Sequence, residues 1–168
     1  LYGVGLTEAD PMSFHEKGFK YPTQESSQLR SLWALHALNA VGQAEAMKLL
    51  KQKSESVRAW TIQLLCEDKQ PGAAALAEFT RLAKEDPSPV VRLYLASACQ
   101  RLTVAERAPI VEALLAHAED ATDHNLPLMY WYATEPIVAA DPAKGAFLLA
   151  KAKIPLLREY ITRRLTAK

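Results

Sequence analysis

The sequence predicts an all-α protein in which about four to five helical hairpins stack into an α-α superhelix. Apolar residues recur at three- and four-residue steps from Ser26 onward, and glycine, proline or capping residues separate the runs. Two helix starts are also alike, because Arg58 and Arg92 each follow a valine and stand 34 positions apart. That spacing is typical of two-helix repeats, which bury their apolar faces by stacking on one another.

Composition favours a folded domain. Of the 168 residues 49% are apolar and 23% are charged, close to the averages of globular proteins. The net charge of +1 gives no basic footprint, so we expect no nucleic-acid partner. No apolar run approaches the roughly 18 residues of a membrane span, so we expect no direct membrane insertion. The chain begins at Leu1, and we expect it to be a piece of a longer protein.

The chain divides into two predicted parts. Residues 1–25 contain several glycines and prolines without a helical period, which predicts an irregular lead-in or linker. Residues 26–168 form the predicted helical repeat domain. No alternating β-branched run with hairpin turns interrupts this part, so a sheet is not expected.

The first five helices follow from their apolar spacing. A run that starts at Ser26 ends near Gly42, and a short second helix covers residues 43–51. Ser54 is a predicted N-cap of the third helix, which continues through Leu65. A fourth helix covers residues 73–83, and the fifth begins after Asp86-Pro87 and contains Val91 and Ala98.

The second half contains four predicted helices with two internal prolines. Thr103 and Glu106 have the spacing of a capping box, and Pro109 predicts that the helix after them starts as a separate or kinked turn. The next helix covers residues 123–140, and Pro136 predicts a kink or an end near Glu135. The last two helices are predicted at residues 143–151 and 156–165.

One position recurs near the start of every second helix. The aligned residues are Arg30, Arg58, Arg92, Tyr130 and Arg158, at intervals of 28, 34, 38 and 28. The arginines could form a ladder that binds carboxylate or phosphate, since a guanidinium suits both. The sequence favours a structural role instead, in which each arginine bonds to a neighbouring turn and Asp86 is the expected partner of Arg92.

The most function-like group of side chains lies in the helix of residues 123–140. Its polar and aromatic members form a candidate interaction surface or pocket, and they are His124, Asn125, Tyr130, Trp131 and Glu135. Trp131 and Glu135 share a helical face, whereas Tyr130 and Tyr132 point elsewhere. The alternative is that the aromatic side chains belong to the core and that His124 and Asn125 cap the helix.

The remaining reactive residue types give no catalytic or metal motif. Cys66 and Cys99 are predicted to be buried small hydrophobes rather than a disulfide, because stacked helices keep them too far apart. His36 is predicted to be a core residue, and the four histidines lack a metal-binding spacing. The sequence also lacks CxxCH and known nucleophile or phosphate-binding motifs. We therefore expect no enzyme activity and no cofactor in this segment.

Two levels of resemblance add a context. Asp86-Pro87-Ser88 followed by Val91-Arg92 resembles the HEAT-repeat consensus, in which an acidic turn residue and a helix arginine link successive repeats. Residues 56–68 and 123–138 resemble the HEAT-repeat segment of large planctomycete and verrucomicrobial proteins described as membrane-bound dehydrogenases or haem-binding proteins.

This resemblance covers roughly residues 26–168 and implies an armadillo-type superhelix in an exported, periplasmic protein. It also implies a β-propeller before the repeats and a cytochrome c domain after them. The expected function is a non-catalytic scaffold that contacts neighbouring domains of the parent chain or another protein. The alternative is a ligand-binding or catalytic accessory domain that uses the region from His124 to Glu135.

Overall fold

The computed structural model describes residues 24–167, and its regular structure is entirely helical within that range. The α-helices are α1 Gln24–Ala37, α2 Gln43–Leu49, α3 Glu55–Leu65, α4 Ala73–Glu85, α5 Pro89–Ala98, α6 Val104–Leu114, α7 Leu126–Ala140, α8 Pro142–Lys151 and α9 Pro155–Thr166. Short 3₁₀ helices cover Cys99–Arg101 and Ala118–Thr122. The predicted all-α class is confirmed. Residues 1–23 of the predicted lead-in lie outside the described residues.

The helices alternate between two sets along the chain. The odd-numbered helices α1, α3, α5, α7 and α9 lie side by side, each packed on the next. The even-numbered helices pack against them, with α2 on α3, α4 on α5, α6 on α5 and α7, and α8 on α7 and α9. Each helix therefore packs mainly on helices that are one or two places away along the chain.

The hydrophobic core runs continuously through both sets of helices. It includes the fully buried residues Leu50 at the end of α2, Ile62 in α3, Phe79 in α4 and Leu148 in α8. Each such side chain stabilises the fold by about 1.5–3 kcal/mol relative to an exposed one. The core therefore belongs to one continuous stack.

Both cysteines are buried and unbridged, which confirms the prediction that they act as small hydrophobes. Cys66 closes α3 and Cys99 closes α5. Burial raises the pKa of each thiol to about 12, so both remain protonated and unreactive near neutral pH.

Side-chain caps define several helix starts. Ser54 Oγ and Ser88 Oγ accept the backbone amides of Val57 and Val91 at 3.2 and 3.3 Å. The predicted capping box before α6 is present, because Thr103 Oγ1 accepts the Glu106 amide at 3.3 Å and Glu106 Oε2 accepts the Thr103 amide at 2.9 Å. Each cap satisfies an amide that the first helical turn leaves unpaired.

Neither internal proline interrupts its helix, so the separate start expected at Pro109 and the end expected near Glu135 are wrong, whereas the kinks expected at these prolines stay predictions. Helix α6 begins at Val104 and continues through Pro109, and α7 continues through Pro136 to Ala140. An internal proline costs about 3 kcal/mol because it removes a backbone hydrogen bond. Buried apolar residues directly after each proline, Ile110 and Ile137, offset that cost by keeping both helix ends in the core.

His36 does not lie in the core, which corrects its prediction. Its side chain is 35% exposed, and its Nε2 lies 2.9 Å from Glu67 Oε2 just after α3. The pair borders a cavity of about 470 Å³ between α1, α2 and α3. His36 was assigned to the core because its neighbours in sequence are apolar, but several of these, including Leu35 and Leu38, are themselves exposed.

The capping box predicts a measurable contribution to stability. We expect Thr103→Ala to lower the free energy of unfolding by about 1 kcal/mol, within a range of about 0.5–2, because the first turn of α6 loses its acceptor. Thr162→Ala is the matched control, since this exposed hydroxyl only bonds back to the Arg158 carbonyl within α9. Urea unfolding measures both variants, and equal losses would contradict the assigned cap.

Candidate functional site

Two ion pairs, one partly buried and one buried, connect successive odd-numbered helices. Arg58 in α3 donates through Nε and Nη2 to both carboxylate oxygens of Asp86, at 2.7 and 2.8 Å. Arg92 in α5 makes the same two-pronged contact with Asp120, at 2.8 and 2.6 Å. In both pairs the carboxylate follows the arginine by 28 residues. We call these pairs the arginine ladder.

The predicted contact between Arg92 and Asp86 is present, but it uses a backbone atom, because Arg92 Nη1 donates to the Asp86 carbonyl at 3.0 Å. The carboxylate that binds Arg92 is that of Asp120. The Asp86 carboxylate faces Arg58, and it also accepts the Ser88 amide at 3.0 Å, which holds it at the start of α5. Arg58 likewise donates to the carbonyl of Gln52, six residues before it, so the residue at that position needs no acidic side chain.

Tyr130 occupies the repeat position that lacks arginine and extends the ladder. Its hydroxyl donates to Asp120 Oδ2 at 2.6 Å. Asp120 therefore accepts hydrogen bonds from Arg92 of α5 and from Tyr130 of α7. Burial raises the pKa of Tyr130, and the bond to Asp120 adds to the effect. Burial alone would lower the pKa of Arg92, but the bonds and charge of Asp120 outweigh it and raise that pKa. Tyr130 therefore stays neutral and Arg92 stays charged near neutral pH.

The turn that carries Asp120 is anchored by His117. Its Nε2 donates to the carbonyl of Ala83 at 2.7 Å, and its Nδ1 lies 2.7 Å from Glu119 Oε1. Within α4 the Ala83 carbonyl would normally accept the amide four residues later, but Pro87 has no N–H. The His117 side chain also lowers the pKa of Glu119. This contact fixes the turn against the end of α4.

A second set of links joins the helix starts. Ser54 Oγ donates to Glu25 Oε1 at 2.6 Å, and Ser88 Oγ donates to Glu55 Oε2 at 2.5 Å. Each serine also caps its own helix, so it binds both its helix and the preceding odd-numbered helix. The capping pattern therefore fixes the register between neighbours.

The other aligned arginines have different surroundings. Arg158 donates to the carbonyls of Leu149 and Ala152 at 2.9 and 3.3 Å. Arg30 is exposed. Because Arg58 and Arg92 are bound within the fold, the aligned arginines do not form one exposed row of cations.

The structure separates the predicted interaction cluster. Tyr130 lies in the core, with 1% of its surface exposed. The Trp131 ring lies 5.4 Å from Tyr160, and Glu135 Oε1 accepts Arg164 Nε at 2.8 Å, so both residues contact α9. His124 is exposed.

Asp123, rather than His124 or Asn125, caps α7. Its Oδ1 accepts the amides of Leu126 and Asn125, each at 2.8 Å, and Asn125 makes no side-chain cap bond. These two backbone bonds lower the pKa of Asp123. The sequence analysis missed this cap because three adjacent polar residues could each have served as one.

A groove of about 500 Å³ crosses α3, α5 and α7 and is a candidate binding site. Asn125 is the one member of the predicted cluster that lines it. The full lining is Trp60, Gln63, Leu93, Tyr94, Ser97, Asn125, Leu128 and Met129. Pockets of this volume with mostly apolar walls and a few polar groups are typical of binding sites.

Aromatic contacts fix the groove wall. The Trp60 ring packs against Trp33 of α1, with centroids 4.9 Å apart and planes at 75°. On its other side it meets Tyr94 of α5 at 5.9 Å and 59°. Such edge and tilted contacts stabilise ring pairs by about 0.5–1.5 kcal/mol. Trp60 is therefore oriented before any ligand arrives.

The sequence contained a signal for this groove that we did not use. Four of the aligned residues are each followed, two positions later, by an aromatic residue. These aromatic residues are Trp60, Tyr94, Tyr132 and Tyr160. A two-residue step turns a helix by about 200°, so a buried aligned residue places the aromatic residue on the opposite face. Tyr130 and Tyr132 illustrate this, with 1% and 48% exposed.

Residues 24–167 hold no group of three or more His, Cys, Asp or Glu side chains placed to bind a metal ion. Across the same residues, no helix has the length and apolar character needed to span a membrane.

In comparisons with known proteins, the chain matches no family model, no curated protein and no solved structure.

Breaking the ladder should cost far more stability than breaking a surface pair. We expect Arg92→Met to lower the free energy of unfolding by about 3–5 kcal/mol, because it leaves the Asp120 carboxylate buried with Tyr130 alone. The control is Arg163→Met, since Arg163 is 71% exposed and pairs with Glu159 within α9. We expect this variant to lower the free energy of unfolding by less than about 1 kcal/mol. Denaturant unfolding compares the two, and similar losses would refute the structural role of Arg92.

The Asp123 cap predicts a pH effect. Its folded-state pKa is lowered, so its stabilisation is present above its unfolded pKa of about 3.9 and is lost as the pH falls through the folded value. We expect Asp123→Asn, which can still accept hydrogen bonds, to reduce the loss of thermal stability below about pH 4. Melting temperatures between pH 7 and pH 2 measure it. An unchanged pH profile would show that the Asp123 charge is not coupled to folding.

Proposed function

We propose that this chain is a non-catalytic, HEAT-like helical repeat scaffold that holds neighbouring domains, or a partner protein, at a fixed separation. The observation that carries the proposal is the arginine ladder, whose two rungs have the same 28-residue spacing and join α3 to the start of α5 and α5 to the turn before α7. Links at a constant step between consecutive units are typical of solenoid repeats.

Rigidity is what such a scaffold needs, and the ladder supplies it. Each guanidinium binds a carboxylate through two parallel bonds, which fixes orientation as well as distance. Helix packing alone tolerates a scatter of about 15–20° in crossing angle. A buried two-pronged pair and a serine link at the same junction narrow that range, so the ends of the stack keep their relative position.

The larger context of the proposal rests on resemblance. The segment would stand between redox domains of an exported dehydrogenase or cytochrome c protein, and its geometry would set the distance between them. The partner in this reading is a neighbouring domain of the parent chain or a second protein docked on the helices.

A ligand-binding accessory role is the second candidate, and one observation favours it. Asn125, from the predicted region between His124 and Glu135, borders the groove across α3, α5 and α7. The rest of that region contributes less, because Trp131 and Glu135 contact α9. In this candidate function the groove, rather than the whole predicted cluster, is the site.

The scaffold proposal predicts a single, narrow distance between the two ends of the stack. Spin labels on Ala34→Cys in α1 and Thr162→Cys in α9 occupy exposed sites, while the buried Cys66 and Cys99 remain unlabelled. Pulsed electron spin resonance should give one narrow distance distribution. The same labels on the Arg92→Met background should give a broader one.

The outcome that would contradict the scaffold is equally clear. A broad or multimodal distribution in the otherwise native chain, under conditions where circular dichroism reports full helicity, would describe helices without fixed relative positions. A chain of that kind could not hold two domains at a set separation.

A further inference from the structure

Three of the aligned arginines make the same contact with the backbone. Arg58, Arg92 and Arg158 are each the fourth residue of an odd-numbered helix. In each of them Nη1 donates to the carbonyl of the residue six positions earlier, at 2.8, 3.0 and 3.3 Å respectively. The three guanidinium groups are therefore held in the same way at the starts of their helices.

The other two donor atoms of the guanidinium differ among these arginines. In Arg58 and Arg92, Nε and Nη2 bind the carboxylate that the next turn of the stack supplies, and these side chains are 11% and 4% exposed. Within the described part of the chain, all hydrogen bonds of Arg158 come from Nη1. Arg158 is also exposed. We call its Nε and Nη2 donors the open fork.

Arg158 lines a hollow of about 340 Å³ on the surface of α8 and α9. The other lining residues are Leu149, Glu159, Thr162, Arg163 and Thr166, so all but one of the side chains are polar. Glu159 Oε1 lies 2.8 Å from Arg163 Nη2, and this pair leaves the charge of Arg158 without a carboxylate in the hollow. The hollow therefore suits a polar, negatively charged group.

The surface around the open fork has an excess of positive charge. From residue 142 to residue 167 there are six Lys or Arg residues and one acidic residue, Glu159. Two of the six pair with Glu112 and Glu135 of other helices. An excess of one sign attracts a partner of the opposite sign and repels one of the same sign. The end of the stack at α8 and α9 therefore favours an acidic partner.

From these features we propose that Arg158 is the docking point for a carboxylate in an acidic segment of a partner protein. The carboxylate binds Nε and Nη2 through its two oxygens, as Asp86 binds Arg58 and Asp120 binds Arg92. The polar hollow fits a partner that dissociates, because permanent interfaces are more apolar. The proposal rests on the scaffold function and names the end of the scaffold at which the partner docks.

The probe is a capped peptide that copies residues 82–90, LAKEDPSPV, in which Asp86 supplies the carboxylate. It is titrated into the full chain, and NMR follows the arginine Nε–H groups and the backbone amides. Without peptide, we expect the Nε–H groups of Arg58 and Arg92 to exchange slowly with water and that of Arg158 to exchange fast. The peptide should slow the exchange at Arg158 and shift the amides at the start of α9 saturably.

Two altered peptides separate the specific contact from general charge attraction. The Asp86→Asn peptide and the Glu85→Gln peptide have the same net charge, since each loses one carboxylate. We expect the Asp86→Asn peptide to bind at least about tenfold more weakly than the original, a difference of about 1.4 kcal/mol. The Glu85→Gln peptide should keep most of the affinity.

Matched variants of the chain identify the site. Arg158→Gln should weaken binding of the original peptide at least about tenfold. Arg30→Gln is the control, since Arg30 is exposed, holds an aligned position and does not line the hollow. Arg158→Lys keeps the charge but lacks the planar fork, so it should also weaken binding. This second variant carries the test if Arg158→Gln does not fold, and circular dichroism reports folding.

Five outcomes would overturn this inference. They are slow exchange of the Arg158 Nε–H without peptide, no binding at millimolar peptide, equal binding of the two altered peptides, equal effects of Arg158→Gln and Arg30→Gln, and binding of a thymidine dodecanucleotide at Arg158 when the peptide does not bind. None of them alters the distance measurement across the stack. The scaffold can therefore stand while the acidic partner fails, and a broad distance distribution would remove the scaffold whatever the peptide does.

Discussion

The buried contact among Arg92, Asp120 and Tyr130 is the constraint on which the rest of the structure depends. It joins α5, the turn before α7 and α7 itself through one carboxylate. A buried ion pair contributes little net stability compared with apolar residues of the same size. Removing one partner is strongly destabilising, however, because the other charge is then buried without a partner. Its main effect is to exclude other arrangements, because any shift of α7 along α5 would separate the charges.

The same constraint positions the candidate site. Since Arg58 and Arg92 are anchored on the inner side of their helices, Trp60 and Tyr94 two positions later lie on the other side, where they form the groove wall.

The sequence was sufficient to locate the helices, but it did not identify the side chains that connect one helix to the next. Apolar periodicity, the Ser54 cap and the Thr103 capping box located all nine helices of residues 24–167 to within a few residues. Asp120 was missed because it lies in a short 3₁₀ segment among several acidic residues, where local spacing does not distinguish one carboxylate from another. The helix end expected near Glu135 was wrong because the burial that carries α7 past Pro136 is a tertiary effect. Within the cluster around Asn125, the alternative that the aromatic side chains belong to the core holds for Tyr130.

Native-state hydrogen exchange tests the central claim, that the ladder makes successive helices one cooperative unit, most directly. The account predicts that the slowest amides of α3, α5 and α7 exchange with the same opening free energy in the native chain. In Asp120→Ala, which removes the shared carboxylate, the amides of α7 should open at a lower free energy than those of α3. Different opening free energies in the native chain, or an Asp120→Ala variant in which all three helices still open together, would contradict the account.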